Sequence, residues 1–425
     1  MQDHTPPMPA RADSLFILAD DLSGAADCAA GAAKAGLKSI VLLDPAAAQD
    51  AQVVAVDSDS RHRTAQEAQA INRALWRSHA APGRLFYKKI DSTLRGNVAA
   101  EIAALAEAGV AIIAPAFPPA GRTTRAGRVF VQDVPLEATE TWRDEKMRGA
   151  ADIVAMLAGA GVKAINVPLR TVRAGLREEL VRLTGSGQVN AIVCDAQEER
   201  DLAAIAAASF DLPVWWVGSA GLVAHLPRAA GLVGSTAAPA PAVHGPIVTV
   251  VGSLSTVSRR QAQQLEAGAD LAVFVAAPQL LRAGQRDPAW QALRAQVGQA
   301  LQAGRDVLIR IGLAERNDLA QGHELCESLG RLLGPLAPLI GALVATGGET
   351  ARALLPAFGA HALQLLREIE PGVPLSLALG GRPIPVITKA GAFGSPAALL
   401  NCYRTLAAMR DGAPASEGHS TWTAH

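Results

Sequence analysis

Two adjacent carboxylates, Asp20 and Asp21, end the apolar run Leu15–Ala19 and lead directly into Ser23 and Gly24. Paired carboxylates where a strand gives way to a helix can accept hydrogen bonds from a polyol, or one of them can take a proton as a base. A plainer use of the same residues is to cap the helix, since Asp and Ser satisfy orphan backbone N–H groups there. One residue suffices for a cap and three are present, so chemistry beyond capping is expected.

A second stretch, Lys88-Lys89-Ile90-Asp91-Ser92-Thr93-Leu94-Arg95-Gly96-Asn97, again runs from a strand through a loop into a helix. Side chains alternate along a strand, so Lys89 and Asp91 are expected to point one way and Lys88 the other. Arg95 offers a planar fork suited to bidentate capture of a carboxylate. A charged strand end with Asp91 or Ser92 as a cap would account for only part of this gathering of polar groups. Third, Ala114–Pro119 followed by Gly121-Arg122-Thr123-Thr124 reads as a strand end, a rigid turn and a loop. That loop could order around an anion or be a structural turn, and its residues leave both open.

In the C-terminal half three strand ends carry small hydrogen-bonding residues: Gly252-Ser253-Leu254-Ser255, Gly347-Gly348-Glu349-Thr350 and Lys389-Ala390-Gly391. Glycine lets backbone N–H groups approach a phosphate, and a following helix N-terminus adds a favourable dipole. Each turn alone is commonplace; together they point to a nucleotide pocket. The usual phosphate cradles, GxxxxGK[ST] and a GxGxxG after a strand, are absent. Gly218-Ser219-Ala220-Gly221 does not fit the GxSxG of a hydrolase nucleophile elbow. The nine histidines have no HExxH spacing, and no metal ligands are assigned. Cys28, Cys194, Cys326 and Cys402 are far apart with no CxxC pair, so buried reduced thiols are expected rather than zinc or disulfides.

The elements that must position these groups alternate. Strands are expected at Leu15–Ala19, Ser39–Leu43, Val53–Asp57, Leu85–Ile90, Ala111–Pro115, Ala191–Asp195 and Val214–Val217, and then at Ile247–Val251, Leu271–Val275, Val307–Ile311, Ala342–Ala345 and Val386–Thr388. Ala-rich helical segments lie between many of them, such as Gly24–Gly36, Ala65–His79, Asn97–Ala108 and Asp201–Phe210. Strands that are apolar on both faces and alternate with helices make an α/β protein with mainly parallel sheets flanked by helices. The stretch Pro227–Pro246 holds four prolines among small residues and reads as a linker, giving domains 1–235 and 236–425. The last stretch, Asp411–His425, reads as a loose polar tail.

Composition excludes several classes. Of 425 residues half are hydrophobic, which is incompatible with intrinsic disorder. The 39 Lys and Arg balance 39 Asp and Glu, which argues against nucleic-acid binding, and 4% aromatic residues make no base-stacking platform. No apolar run reaches the ~18–20 residues of a membrane helix, and the polar start Met1–Asp13 resembles no signal peptide. A cytoplasmic protein is expected, and its neutral, alanine-rich composition is compatible with a homodimer.

The combination of motifs resembles the four-carbon acid sugar kinase family, whose members phosphorylate threonate, erythronate or 3-oxo-tetronate with ATP. The resemblance is carried by Ala19-Asp20-Asp21-Leu22-Ser23-Gly24-Ala25, by Lys88–Asn97, by Ala114–Pro118 with Gly121–Thr124, and by Gly252–Ser255 with Arg259-Arg260-Gln261. Gly347–Thr350, Glu370-Pro371-Gly372-Val373-Pro374 and Lys389–Gly391 complete it, over residues 15–405. It implies an N-terminal domain that binds the acid sugar through Asp20, Asp21, Lys89, Asp91, Ser92 and Arg95. It implies a C-terminal domain that binds ATP through Ser255, Gly347, Gly348, Glu349, Thr350 and Gly391. Asp21, Asp91 and Lys89 form the implied catalytic set, with Asp21 or Asp91 as the base. Mg²⁺ is implied on the phosphates, with Glu349 in its outer shell. The Lys-Ile-Asp-Ser-Thr-Leu-Arg-Gly-Asn form looks more like threonate and erythronate kinases than the 3-oxo-tetronate branch, with its Cys-Ser-Thr-Phe-Asp-Ser-Thr pattern. D-threonate, phosphorylated at its 4-hydroxyl, is the first expectation, ahead of D-erythronate and 3-oxo-tetronate. From other classes, a non-catalytic sugar-acid-binding regulatory protein would have no use for three glycine-rich turns. An oxidoreductase or aldolase would need a dinucleotide fingerprint or metal-binding histidines, which are missing, or a Schiff-base lysine.

Overall fold

The computed structural model of the chain describes residues 12–47, 50–145, 147, 149–232, 234, 241–253, 255–312, 322–391 and 393–412. The chain divides into two units, Met1–Ala237 and Ala238–His425. Of the expected linker, residues 235–240 lie outside the described residues, as do most of the expected polar N-terminus and tail. Among the described residues no helix is long and apolar enough to cross a membrane.

The strands of the first unit are β1 (Ser14–Ala19), β2 (Ser39–Leu42), β3 (Val53–Asp57), β4 (Arg84–Lys89), β5 (Val110–Ala114), β6 (Arg122–Arg125), β7 (Arg128–Val131), β8 (Val134–Pro135), β9 (Ala164–Val167), β10 (Ala191–Cys194) and β11 (Val214–Gly218). All but β6, β7 and β8 run in the order β2-β3-β1-β4-β11-β5-β10-β9, and every pairing in this run is parallel, while β6-β7-β8 make a separate antiparallel sheet. Leu15, Phe16, Ile17, Leu18 and Ala19 are wholly buried, as a strand apolar on both faces must be. From β1 the chain first turns to β2 and β3 on one side and then crosses to β4 on the other, so the strand order reverses around β1. Ligands of open α/β sheets settle at such a reversal, beyond the carboxyl ends of the strands. Ala19 is in register with both Asp57 and Lys89, and Gly218 with both Lys89 and Ala114, so the loops leaving these strands start level.

The helix after β1, Leu22–Lys34, buries a run of small residues that includes Gly24, Ala25, Ala26, Cys28 and Ala29. Their small side chains bring its backbone close to its neighbours. The helix Ala65–His79 starts with a capping box, Thr64 with Glu67. Arg122-Thr123-Thr124, expected as a loop, instead forms β6, which pairs antiparallel with β7. The two strands are joined by Ala126 and Gly127, both at positive φ, a turn that matches hairpin twist. Alanine is a poor signal for that conformation, which is why a loop was the expectation.

The second unit holds β12 (Ile247–Val251), β13 (Ala272–Ala276), β14 (Val307–Ile311), β15 (Ala342–Thr346), β16 (Ala362–Glu370), β17 (Val373–Leu379) and β18 (Pro385–Lys389). In the order β13-β14-β12-β15-β18-β17-β16, the pairings as far as β18 are parallel and the last two antiparallel. The strand order reverses again, around β12, and Val251, Thr346 and Lys389 stand level at the carboxyl ends. The Glu370–Pro374 motif is the turn of the β16–β17 hairpin, with Gly372 at a φ of 75°.

Candidate active site

The level ends of β1, β3 and β4 gather charge. Arg61, in the loop after β3, donates from Nε to Asp20 Oδ2 at 2.8 Å and from Nη2 to Asp20 Oδ1 at 3.0 Å. Its Nη1 reaches Asp21 Oδ2 at 2.9 Å, and Nη2 lies 3.8 Å from Asp91 Oδ2. One guanidinium thus faces three carboxylates. Burial works against the charge of Asp20, but Arg61, with Lys89 and Lys88, holds its carboxyl below the ordinary range. Burial likewise opposes the charge on Arg61, and Asp20, Asp21 and Asp91 raise it well above its usual value.

Both readings of the aspartate pair are realised, one by each residue. Asp21 is the N-cap of helix Leu22–Lys34, its Oδ1 accepting the Gly24 N–H at 2.9 Å. Asp20 does no capping and is buried against Arg61. Lys89 crosses over Gly24, where a Cβ would stand 2.8 Å from Lys89 Nζ and 2.7 Å from Asp21 Oδ1. Only glycine lets lysine and aspartate approach each other there. Burial lowers the basicity of Lys89, but the negative groups around it, Asp20 and Asp21 among them, leave its ammonium above its usual value.

Asp91 is saturated with donors. Its Oδ1 accepts the Thr93 N–H at 2.8 Å and the Thr93 hydroxyl, and its Oδ2 accepts Arg95 Nη2 at 2.7 Å. Burial opposes its charge, yet Arg95, Arg61 and Lys89 hold the carboxyl far below its usual range. Ser92 is half-buried in the same turn. Leu94 then takes a φ of 57° with its side chain fully buried, an unusual conformation for a branched residue that costs about 1–3 kcal/mol. Arg95 is one-third exposed and also faces Glu145 at 3.7 Å.

Lys88 points the other way, as strand alternation requires, and is fully buried 2.9 Å from Glu101 Oε2. The other oxygen of Glu101 accepts the Ser60 hydroxyl, and Asn97 donates to the carbonyls of Ser60 and Arg63, both at 2.9 Å. The loop that carries Arg61 is therefore held from the Lys88–Asn97 motif and the helix behind it. Arg122, at the start of β6, is lowered by burial and feels the charges of Asp91, Arg95 and Asp27, which brings the third motif to the same crevice. Arg61 itself was not expected from sequence. Its signal is the polar run Asp57-Ser58-Asp59-Ser60-Arg61 directly after an apolar strand.

In the second unit the three glycine-rich turns meet at Ser253. A Cβ on Gly391 would lie 2.3 Å from Ser253 Oγ, one on Gly347 3.5 Å from Ser253 Cβ, and one on Gly252 2.1 Å from Thr350 Oγ1. Ser255 caps helix Thr256–Gly268, accepting the Ser258 N–H at 3.1 Å and donating to the Gly391 carbonyl at 3.2 Å. Helix Gly348–Ala357 starts without a side-chain cap, Gly347 at its N-cap having a φ of 101°, so its first N–H groups suit a phosphate. Thr350 is buried with its hydroxyl 3.6 Å from Cys326 Sγ, and Glu349 accepts from His323 Nδ1 at 2.7 Å. Among the described residues no three His, Cys, Asp or Glu side chains gather as a metal cage.

A family model described as a sugar-binding N-terminal domain matches residues 15–226, and one described as a nucleotide-binding C-terminal domain matches residues 248–399. A Cupriavidus necator protein named D-threonate kinase is 48% identical over 93% of this chain and 99% of its own length. The chain belongs to the four-carbon acid sugar kinase family. Another family member, a Salmonella typhimurium D-threonate kinase, is 32% identical over 94% of the chain and 99% of its own length. A Pseudomonas fluorescens 3-oxo-tetronate kinase is 31% identical over 89% and 94%. The fold is shared with a Salmonella typhimurium crystal structure at 23% identity and a TM-score of 0.76, covering 92% of this chain and 99% of that one.

Proposed function

We propose that this kinase transfers the γ-phosphoryl group of ATP to the 4-hydroxyl of a four-carbon sugar acid, D-threonate, giving 4-phospho-D-threonate. The observation that carries the reading is the crevice at the β1 reversal, where Arg61, Lys89, Arg95 and Arg122 surround the carboxylates of Asp20, Asp21 and Asp91. Such a crevice suits a small hydroxylated anion. Relatives named D-threonate kinase at 48, 32 and 33% identity support the choice of acid over the 3-oxo-tetronate kinases at 30–31%.

In this reading the first unit takes the acid sugar and the second takes ATP through its glycine-rich turns. Arg95 and Lys89 bind the substrate carboxylate and hydroxyls, with Asp20, Asp91 and Ser92 completing the pocket. Asp21 is the base. Asp91 is too acidic and too fully bonded to accept a proton, and Asp20 is locked in a fork with Arg61. Asp21 keeps a quarter of its side chain exposed. It takes the 4-hydroxyl proton as that oxygen bonds to the γ-phosphorus and the bond to the ADP oxygen breaks. Glu349 is the residue that would approach a Mg²⁺ bound with the nucleotide, which would supply charge neutralisation on the phosphates. A homodimer is the assembly we propose, and light scattering on the purified chain tests it.

A coupled ADP-release assay with ATP and Mg²⁺ against D-threonate, L-threonate, D-erythronate, L-erythronate and 3-oxo-tetronate tests the proposal. Turnover is expected on D-threonate. Turnover on another tetronate alone would move the substrate; binding of a tetronate without ADP release would make the chain a regulatory binder.

A further inference from the structure

Lys389 ends β18 with its side chain almost wholly buried, and its ammonium donates to three carbonyls of the turn that follows: Ala390 at 2.9 Å, Gly391 at 3.0 Å and Phe393 at 3.0 Å. An ammonium has three N–H donors, so all of them are committed to backbone and none remains for a phosphate oxygen. Gln261, on helix Thr256–Gly268, adds a second inward clamp, donating from Nε2 to Phe393 O at 3.1 Å and Ser395 O at 2.7 Å. Ser258 fixes Gly391 O at 2.6 Å, and Glu370 holds the Ser395 N–H at 2.8 Å.

The peptide bond is planar and trans, so each carbonyl turned inward sends the N–H of the next residue the opposite way. The inward carbonyls of Ala390 and Phe393 thus aim the Gly391 and Gly394 amides away from the lysine. We propose that Lys389 is a positioning residue, a cation that contributes to nucleotide binding by turning the carbonyls of this turn inward so that the Gly391 and Gly394 amides face the phosphates. The inference rests on the nucleotide reading of the second unit. Glycine at both positions lets the outward amides come close to an anion, and the helix start at Thr256 beside Ser255 adds to the field. Burial also pulls the Lys389 ammonium down to about 8. The titratable groups facing it are Glu370 of β16, held below its usual range, and Cys402 of helix Ala398–Arg410, pushed up to about 12. Lys389 is therefore the group among them that loses charge near pH 8.

The test uses full-length Lys389→Met with three readouts: ATP affinity by calorimetry, D-threonate affinity, and hydrogen exchange of the nucleotide-free chain over 389–397. Expected are an ATP Kd raised about tenfold or more, faster exchange of this turn before any nucleotide is added, and D-threonate affinity unchanged. Unchanged ATP affinity would overturn the inference. Weakened ATP binding with unaltered exchange would overturn it too, by making Lys389 a direct phosphate ligand. Failure of the wild-type chain to bind ATP would overturn the nucleotide reading itself. If Lys389→Met does not fold, the wild-type chain still decides: its ATP affinity falls as pH rises through about 8, and Gln261→Ala loosens the same turn. A flat ATP affinity across that pH range would refute the role.

Discussion

Arg61 and Asp20 meet in a fork of two hydrogen bonds, 2.8 and 3.0 Å long, with both side chains almost out of solvent. Removing one partner of such a pair strands the other's charge in a low dielectric, which typically costs about 3–5 kcal/mol. Asp21 and Asp91 remain near Arg61, so Asp20→Asn is expected at the lower end, about 3 kcal/mol by urea unfolding. Arg61→Lys keeps the charge and loses the planar fork, and is expected to lose kcat/KM as well as stability. An Asp20→Asn chain as stable as wild type would mean the fork contributes little.

The assignment of the base separates two substitutions. Asn caps helices as well as Asp, so Asp21→Asn retains the start of helix Leu22–Lys34 while removing the proton acceptor. Turnover should fall by about 10²–10⁴ with KM nearly unchanged. Asp91→Asn instead loosens Arg95 and Thr93, and its main effect should be a raised KM. The opposite pattern in steady-state kinetics would exchange the two roles.

Asp91 also gives stability a pH dependence of known sign. Its folded carboxyl lies far below the ordinary value of 3.8, so the unfolded chain binds a proton there more readily than the folded one. The stability this contributes is complete above about pH 5 and is lost as pH falls through 3.8 and below. Urea unfolding between pH 6 and pH 3 should show wild type losing stability more steeply than Asp91→Asn. Equal slopes would place the Asp91 carboxyl at its ordinary value.

The legible part of this molecule is the part whose cause is local. Leu15–Ala19 and Val53–Asp57 are apolar on both faces, which fixes them as central strands, and the Lys88–Asn97 run announces a site by its density of polar groups. Arg61 was hidden because its meaning depends on Asp20, 41 residues away, and its loop reads as an ordinary solvated turn. The β16–β17 hairpin was hidden by Arg367, Glu368 and Pro374, which speak against a strand until the antiparallel pairing is known. Lys389 reads from sequence as one end of a glycine-rich strand-end turn, and that its ammonium serves its own backbone shows only in three dimensions.

Behind the crevice, the buried contact of Lys88 with Glu101 offers the sharpest test of how Arg61 is held. Glu101 sits between Lys88 at 2.9 Å and the Ser60 hydroxyl, and Ser60 is one residue before Arg61. Lys88→Met leaves a buried carboxylate short of its cation, and Glu101→Leu leaves a buried ammonium without its counter-charge. Each is expected to cost about 3–5 kcal/mol. The double variant Lys88→Met with Glu101→Leu removes both charges together, so it should cost clearly less than the two single changes added, a coupling read from a double-mutant cycle. It also frees Ser60, so Arg61 loses its anchor and kcat/KM should fall even where stability recovers. Simple additivity of the two stabilities would show that the pair does not act as a unit. Restored stability with full activity would show that Asn97 alone suffices to hold the Arg61 loop.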